Sequence, residues 1–148
     1  SLGDLPMPNK KLEDLCVLIV DDEPSVTRLL KTLLSDMQVT QVFTAEDGRE
    51  ALNFLGEMGL GIDVIICDWN MPNMTGLDLL KQVRTVDNDV RFVMMTGRGD
   101  LDSVKVARDH GIDSYLRKPF SPEQLQKKLQ TSCRGLPTTH QQTARLVG

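Results

Sequence analysis

Five polar side chains stand where short apolar runs stop. Leu15-Cys16-Val17-Leu18-Ile19-Val20 gives way to Asp21 and Asp22, Asp63-Val64-Ile65-Ile66-Cys67 to Asp68, Val90–Met95 to Thr96, and Asp113–Leu116 leads to Lys118. Three carboxylates in close quarters cannot all stay ionised without a compensating charge. A hard divalent cation supplies it, and carboxylates with no imidazole or thiolate beside them select Mg²⁺, with Mn²⁺ as the alternative. Lys118 is a point charge suited to a carboxylate or phosphoryl oxygen, and Thr96 can donate one hydrogen bond to such an oxygen. Asp68 is the natural nucleophile, since aspartyl phosphate formation is an established use of a carboxylate, and a cation with a lysine neutralises charge on a phosphoryl group in transfer. Singly, each signal is weak. Asp at a strand end commonly caps a helix or makes a turn, Asp21-Asp22 could cap the segment starting at Pro24, and Thr96-Gly97 could be a turn. The joint placement carries the reading.

For these groups to meet, the ends of the apolar runs must share one edge. Unbroken apolar runs of this length suit strands buried on both faces. After Pro24, which fits a first helical turn, Val26, Leu29, Leu30, Leu33, Leu34 and Met37 recur at helical spacing. Val39–Thr44 reads as a strand and Glu46–Glu57 as a helix with Ala51, Leu52 and Leu55 inward, before Gly59 and Gly61 break the chain. Thr75–Thr85 predicts a helix with Leu77, Leu80 and Val83 or Arg84 on successive turns, and Asp102–Asp109 a short helix closed by Gly111. Ser121-Pro122-Glu123-Gln124 opens a last helix running to about Cys133, with Leu125 and Leu129 inward. Strands alternating with helices argue for an α/β fold, a parallel sheet covered on both faces. In such sheets ligands bind beyond the carboxyl ends of the strands.

The chain of 148 residues suits one domain, and 40% hydrophobic with 26% charged residues excludes disorder as its main state. No apolar run approaches the roughly 18 residues of a membrane span. A formal net charge of −4 disfavours direct binding to nucleic acid or a membrane surface. Cys16, Cys67 and Cys133 are an odd set with no disulfide framework; Cys16 and Cys67, inside apolar runs, read as reduced core residues. His110 and His140 make no spaced zinc site with them. Ser1–Lys11 lacks the apolar stretch of a signal peptide, so a cytoplasmic location is expected. Residues 1–11 are expected to be a loose extension, 12–134 the domain, and 135–148 a polar tail or linker stub. The absence of an initiator Met suits a processed or excised piece.

Val20-Asp21-Asp22-Glu23, Cys67-Asp68-Trp69-Asn70-Met71-Pro72, Met95-Thr96-Gly97 and Lys118-Pro119-Phe120, in that order and spacing, resemble the receiver domain of two-component response regulators. The resemblance covers about Leu12 to Arg134. The segment Asp68–Pro72 most resembles chemotaxis-type single-domain receivers. The resemblance implies a three-layer flavodoxin-like (βα)5 fold with strand order 2-1-3-4-5. It implies that Asp68 accepts a phosphoryl group from a histidine kinase or phosphotransfer protein. Asp22, Asp68 and the backbone carbonyl of Asn70 would ligate Mg²⁺, with Asp21 acting through water or by orienting its neighbour. Lys118 would pair with Asp68 and then with the phosphoryl group. Thr96 would move to that group, and Tyr115 would shift with it, changing the face built from the last two helices and the strand between them for a partner or output domain. Tyr115 has a plainer reading as a core cap with its hydroxyl in water.

Other residues carry lesser expectations. Trp69 reads as a partly exposed loop residue, and Met71, Met74, Met94 and Met95 as packing. Arg98 and Asn70 border the site and are expected, from the resemblance, to tune loss of the phosphoryl group. Lys127 and Lys128 read as a solvated face, and a phosphorylation-dependent dimer stays open. Three other functions compete. A haloacid-dehalogenase-type phosphatase wants a second Asp two positions after the nucleophile, where Asn70 stands. A flavodoxin-like cofactor binder lacks any glycine-rich phosphate motif. A receiver-like module that only binds proteins, without phosphorylation, is disfavoured by the presence of all five site residues.

Overall fold

The computed structural model describes residues 10–58, 61–87, 89–97 and 101–136, without the side chains of 101 and 102. Five strands alternate with five helices: β1 (Cys16–Val20), α1 (Pro24–Asp36), β2 (Gln41–Ala45), α2 (Gly48–Met58), β3 (Val64–Asp68), α3 (Gly76–Val86), β4 (Arg91–Thr96), α4 (Leu101–Asp109), β5 (Ser114–Arg117) and α5 (Pro122–Ser132). All strands pair in parallel in the order β2-β1-β3-β4-β5, the α/β architecture and order expected. Local chemistry sets the helix starts. Pro24 and Pro122 stand in first turns, and Thr75 and Ser121 each form a capping box, with Asp78 and Gln124.

Every residue of β1 and β3 is buried, because helices cover both faces of the central strands. Side chains alternate between two cores. Leu18, Val20, Ile65, Cys67, Phe92 and Met94 lie on one face, against α2, α3 and α4. Val17, Ile19, Val64, Ile66, Val93 and Met95 lie on the other, against α1 and α5. The cysteines Cys16, Cys67 and Cys133 are free and buried. Among the described residues, no helix is long and apolar enough to cross a membrane.

Three differences from the sequence pattern have plain causes. Leu29, part of the apolar stripe of α1, is 51% exposed. It lies about 100° round the helix from Leu30, and the core reaches only Leu30 and Leu34 in full. On α3, the buried positions are Gly76, Leu79, Leu80 and Val83, so Leu79 joins the core while Leu77 stays at its margin. Leu136 is 4% exposed and packs into the α1–α5 core, just past the expected domain end.

Residues 1–9 of the expected extension lie outside the described residues, but Lys10 is buried. Its Nζ donates to Asp63 Oδ2 at 2.7 Å, and that oxygen also accepts the Cys16 backbone N–H at 2.9 Å. The Asp63 side chain is 0% exposed, so its charge depends on these partners at the amino end of the sheet. Breaking a buried pair by removing one partner leaves an uncompensated charge. Lys10→Met is therefore expected to lower unfolding stability by about 3 kcal/mol, read by urea denaturation. The double variant Lys10→Met/Asp63→Asn should recover part of that loss. An unchanged midpoint in Lys10→Met would show that the ammonium does not support Asp63.

Candidate functional site

The order in which strands are added reverses between β1 and β3: the chain builds outward to β2 on one side and to β4 and β5 on the other. Such a switch point opens a crevice at the carboxyl ends of the two strands. Val20 pairs with Cys67, which brings Asp21 beside Asp68 across that crevice. Carboxylate oxygens of Asp21, Asp22 and Asp68 lie within 4.8 Å of one another. Thr96 ends β4, is 3% exposed, and its carbonyl accepts the backbone N–H of Lys118 at 2.7 Å. That bond delivers Lys118 to the cluster. Its Nζ reaches Asp68 Oδ1 at 3.0 Å and Asp21 Oδ2 at 3.8 Å. All five strand-end side chains thus come to one edge.

The electrostatics are unbalanced. Three carboxylates face one ammonium, leaving two formal negative charges to be compensated. Asp21 bears the strain. One oxygen accepts the Glu23 N–H at 2.8 Å, while Oδ2 is buried without a hydrogen-bond partner. Burial pushes the Asp21 carboxyl above the ordinary carboxylate range; Asp68 and Asp22 push the same way, against the Glu23 N–H and Lys118. An orphaned buried oxygen beside two further carboxylates, with no thiolate or imidazole in the set, fits a hard divalent cation. Asp21 and Asp22 also open on a cleft of about 290 Å³ walled by Thr27, Arg28, Thr44 and Glu46, which lets a reactant approach from solvent. Asp68 does not line that cleft but keeps 11% side-chain exposure of its own.

Asn70 is exposed in the connection from β3 to α3, beside the cluster. Trp69 departs from expectation: it is 8% exposed and packs in the core with Met71, because its N–H bonds to Met95 C=O at 3.1 Å and turns the ring inward. Met71, Met94 and Met95 are buried and Met74 partly so, as packing residues. Gly76 allows the close return of the chain, since a Cβ there would stand 2.6 Å from the Asp68 carbonyl oxygen. Tyr115 lies outside the cluster. It pairs in register with Met94 and so shares a sheet face with Thr96. Its half-buried ring carries Lys128 Nζ at 5.4 Å and the Arg108 guanidinium at 6.0 Å. Lys128 is therefore drawn partly inward, while Lys127 remains exposed. Arg98 lies outside the described residues. Sequence reasoning did not single out Arg28 or Glu46, whose place at the cleft depends on how α1 and β2 pack.

The profile of the response regulator receiver domain matches residues 17–130. The chemotaxis protein CheY1 of Helicobacter pylori strain J99 is 39% identical over 117 residues, covering 77% of this chain and 93% of that protein. The chemotaxis protein CheY of Pseudomonas aeruginosa is 36% identical over 116 residues, covering 77% and 92%. A receiver-domain protein structure from Clostridium thermocellum superposes with a TM-score of 0.76 at 28% identity, over 90% of this chain and 99% of that one. The Vibrio cholerae chemotaxis protein CheY4 gives 0.71 at 37% identity, over 78% and 96%.

Asp21→Asn tests the charge imbalance. The amide keeps an acceptor for the Glu23 N–H and removes one buried negative charge. Without divalent cations the variant is expected to be more stable by on the order of 1 kcal/mol, a rise of about 4 °C in Tm. It should also gain less from added Mg²⁺ than the parent does. A lower Tm in the metal-free variant would show that the carboxylate is well accommodated.

Proposed function

The chain belongs to the response regulator receiver-domain family, a CheY-like receiver of two-component systems, and on that premise we propose that Asp68 is its phosphoryl acceptor. The observation that carries the reading is the contact of Lys118 Nζ with Asp68 Oδ1 at 3.0 Å inside the three-carboxylate cluster. One Asp68 oxygen attacks the phosphorus of a phosphohistidine on a kinase or phosphotransfer protein. The P–N bond breaks, its electron pair returns to the imidazole, and an acyl phosphate forms on Asp68. Lys118 is already paired with the carboxylate and follows the charge onto the phosphoryl oxygens. Asp22, Asp68 and the Asn70 carbonyl would hold Mg²⁺, or Mn²⁺, with Asp21 acting through water or by orienting Asp22, and the bound cation would supply positive charge to the phosphoryl oxygens.

Thr96, at the end of β4, donates its hydroxyl to the phosphoryl group. Tyr115 follows on the same sheet face, and the surface of α4, β5 and α5 changes for a downstream protein or an attached output domain. A probable two-component response regulator/GGDEF domain protein of known structure is only 49% covered by this chain, so in that protein a receiver-like part shares its chain with another domain. The action is that of a stoichiometric acceptor, not of an enzyme with turnover. The phosphatase alternative is not supported. Asn70, two residues after Asp68, has an amide that cannot give and recover a proton at neutral pH. Direct contact with nucleic acid or membrane is not part of the reading, and its setting is the cytoplasm.

Intact mass after addition of acetyl phosphate and Mg²⁺ tests it. A single base-labile phosphoryl adduct is expected with metal and none without. Asp68→Asn should abolish the adduct with the fold intact, and Lys118→Ala should slow its formation on the order of 100-fold. Stoichiometric labelling of Asp68→Asn would sink the assignment. Rapid consumption of acetyl phosphate without an adduct would mean turnover.

A further inference from the structure

The connection from β3 to α3 is rigid at its base. Trp69 N–H donates to Met95 C=O at 3.1 Å, Gly76 N–H donates to Trp69 C=O at 2.8 Å, and Gly76 lies against the Asp68 carbonyl. Its apex is held differently. Among the described residues, the only backbone hydrogen bond of residues 70–73 runs from Met74 N–H to Pro72 C=O at 2.8 Å, within the apex itself. Asn73 adopts φ 70°, a tight left-handed turn. The apex is joined to the body by two methionines. Met71 enters the core, 9% exposed. Met74 lies on Gly48, the first residue of α2. A Cβ at Gly48 would stand 3.0 Å from Met74 Cγ and closer still to its sulfur, so only glycine admits this contact. On either side of Met74 the surface opens into cavities of about 540 and 440 Å³, both lined by Asn73 and Met74. Space on both flanks leaves the Met74–Gly48 contact as the fixed point of the apex on the α2 side.

We propose that Met74, seated on Gly48, is a positioning residue for the cation: it sets the height of the apex and with it the Asn70 carbonyl. The inference rests on the reading of Asp22, Asp68 and Asn70 as the ligands. Mg²⁺ demands near-octahedral geometry, and a ligand on an apex that, among the described residues, makes no backbone hydrogen bond to the body takes its position from packing. The thioether is suited to the task, because its flexible, polarizable chain fills the narrow space over a bare Cα. Displacing Met74 moves a ligand while leaving the sheet and the Lys118–Asp68 pair in place.

The test is Mg²⁺ titration of the full chain, read by fluorescence of Trp69, the sole tryptophan, which directly follows Asp68 in the chain. Gly48→Ala, which drives Met74 off its seat, and Met74→Ala, which removes the anchor, are each expected to raise the Mg²⁺ Kd roughly 10-fold. Gly56→Ala, in the same helix with nothing within 4 Å of its Cβ, should leave the Kd unchanged. The double variant Gly48→Ala/Met74→Ala should show much less than the product of the single effects, because both act through one contact. Labelling by acetyl phosphate at saturating Mg²⁺ should return to the parent rate in each single variant. Unchanged Kd values, independent effects in the double variant, or slow labelling that saturating metal does not rescue would overturn the inference. If Gly48→Ala does not fold, Met74→Ala alone decides, since it truncates a half-buried side chain. A parent protein blind to Mg²⁺ would sink the cation reading and this inference together; a responsive parent whose variants bind Mg²⁺ with the parent's Kd would sink the inference alone.

Discussion

Asp21, Asp22 and Asp68 repel one another, and the fold holds them within 4.8 Å despite that repulsion. Asp21 and Asp68 sit at the ends of adjacent buried strands, so neither can relax outward without disturbing the backbone pairing of β1 with β3. Lys118 arrives from the far side of the sheet, carried by β5 and tied by its N–H to the Thr96 carbonyl. A single ammonium against three carboxylates leaves the edge short of positive charge. The site is therefore organised but incomplete in charge, the state in which an incoming cation gains most from binding.

The opposite pole of the sheet shows what the same chain does where no chemistry is required. Asp63 is matched by Lys10 and by the Cys16 N–H. Arg84, with its side chain 13% exposed, donates to the carbonyls of Gly111 and Asp87 and to the Asp113 carboxylate, joining α3 to the turn before β5. Arg91 closes the end of α5 through the Arg134 carbonyl at 2.7 Å. Charges there are paired and helix ends are capped. Among the described residues, two buried side-chain atoms lack a hydrogen-bond partner: Ser114 Oγ, where β5 begins, and at the carboxyl end Asp21 Oδ2, the one carried by a carboxylate. This division fits a switch: a fixed floor, and an upper edge whose arrangement depends on what binds.

The apolar runs and helical stripes were enough to place all five strands and five helices within a few residues, because buried parallel strands and amphipathic helices write their burial into residue type. The site residues were legible for a related reason: in a parallel sheet, the residue after an apolar run is carried to the functional edge whatever the loops do. The departures are tertiary. Leu29 has the same side chain as Leu30 and differs only in how far the core reaches round α1. Trp69 was expected partly in solvent, and only the hydrogen bond to the neighbouring strand turns it inward. Lys10 and Leu136 looked like flanking residues because their partners, Asp63 and the α1–α5 core, lie far away in sequence.

The sequence by itself determined the alternation of elements, the parallel sheet, and the identity of the acidic, hydroxyl and ammonium groups at its edge, since these follow from local pattern and chain direction. Tertiary structure alone decided the distances among them, the orphaned oxygen of Asp21, the inward turn of Trp69 and the seating of Met74 on Gly48. Each of those depends on which residues distant in the chain come into contact, and a one-dimensional pattern of polarity carries no record of that.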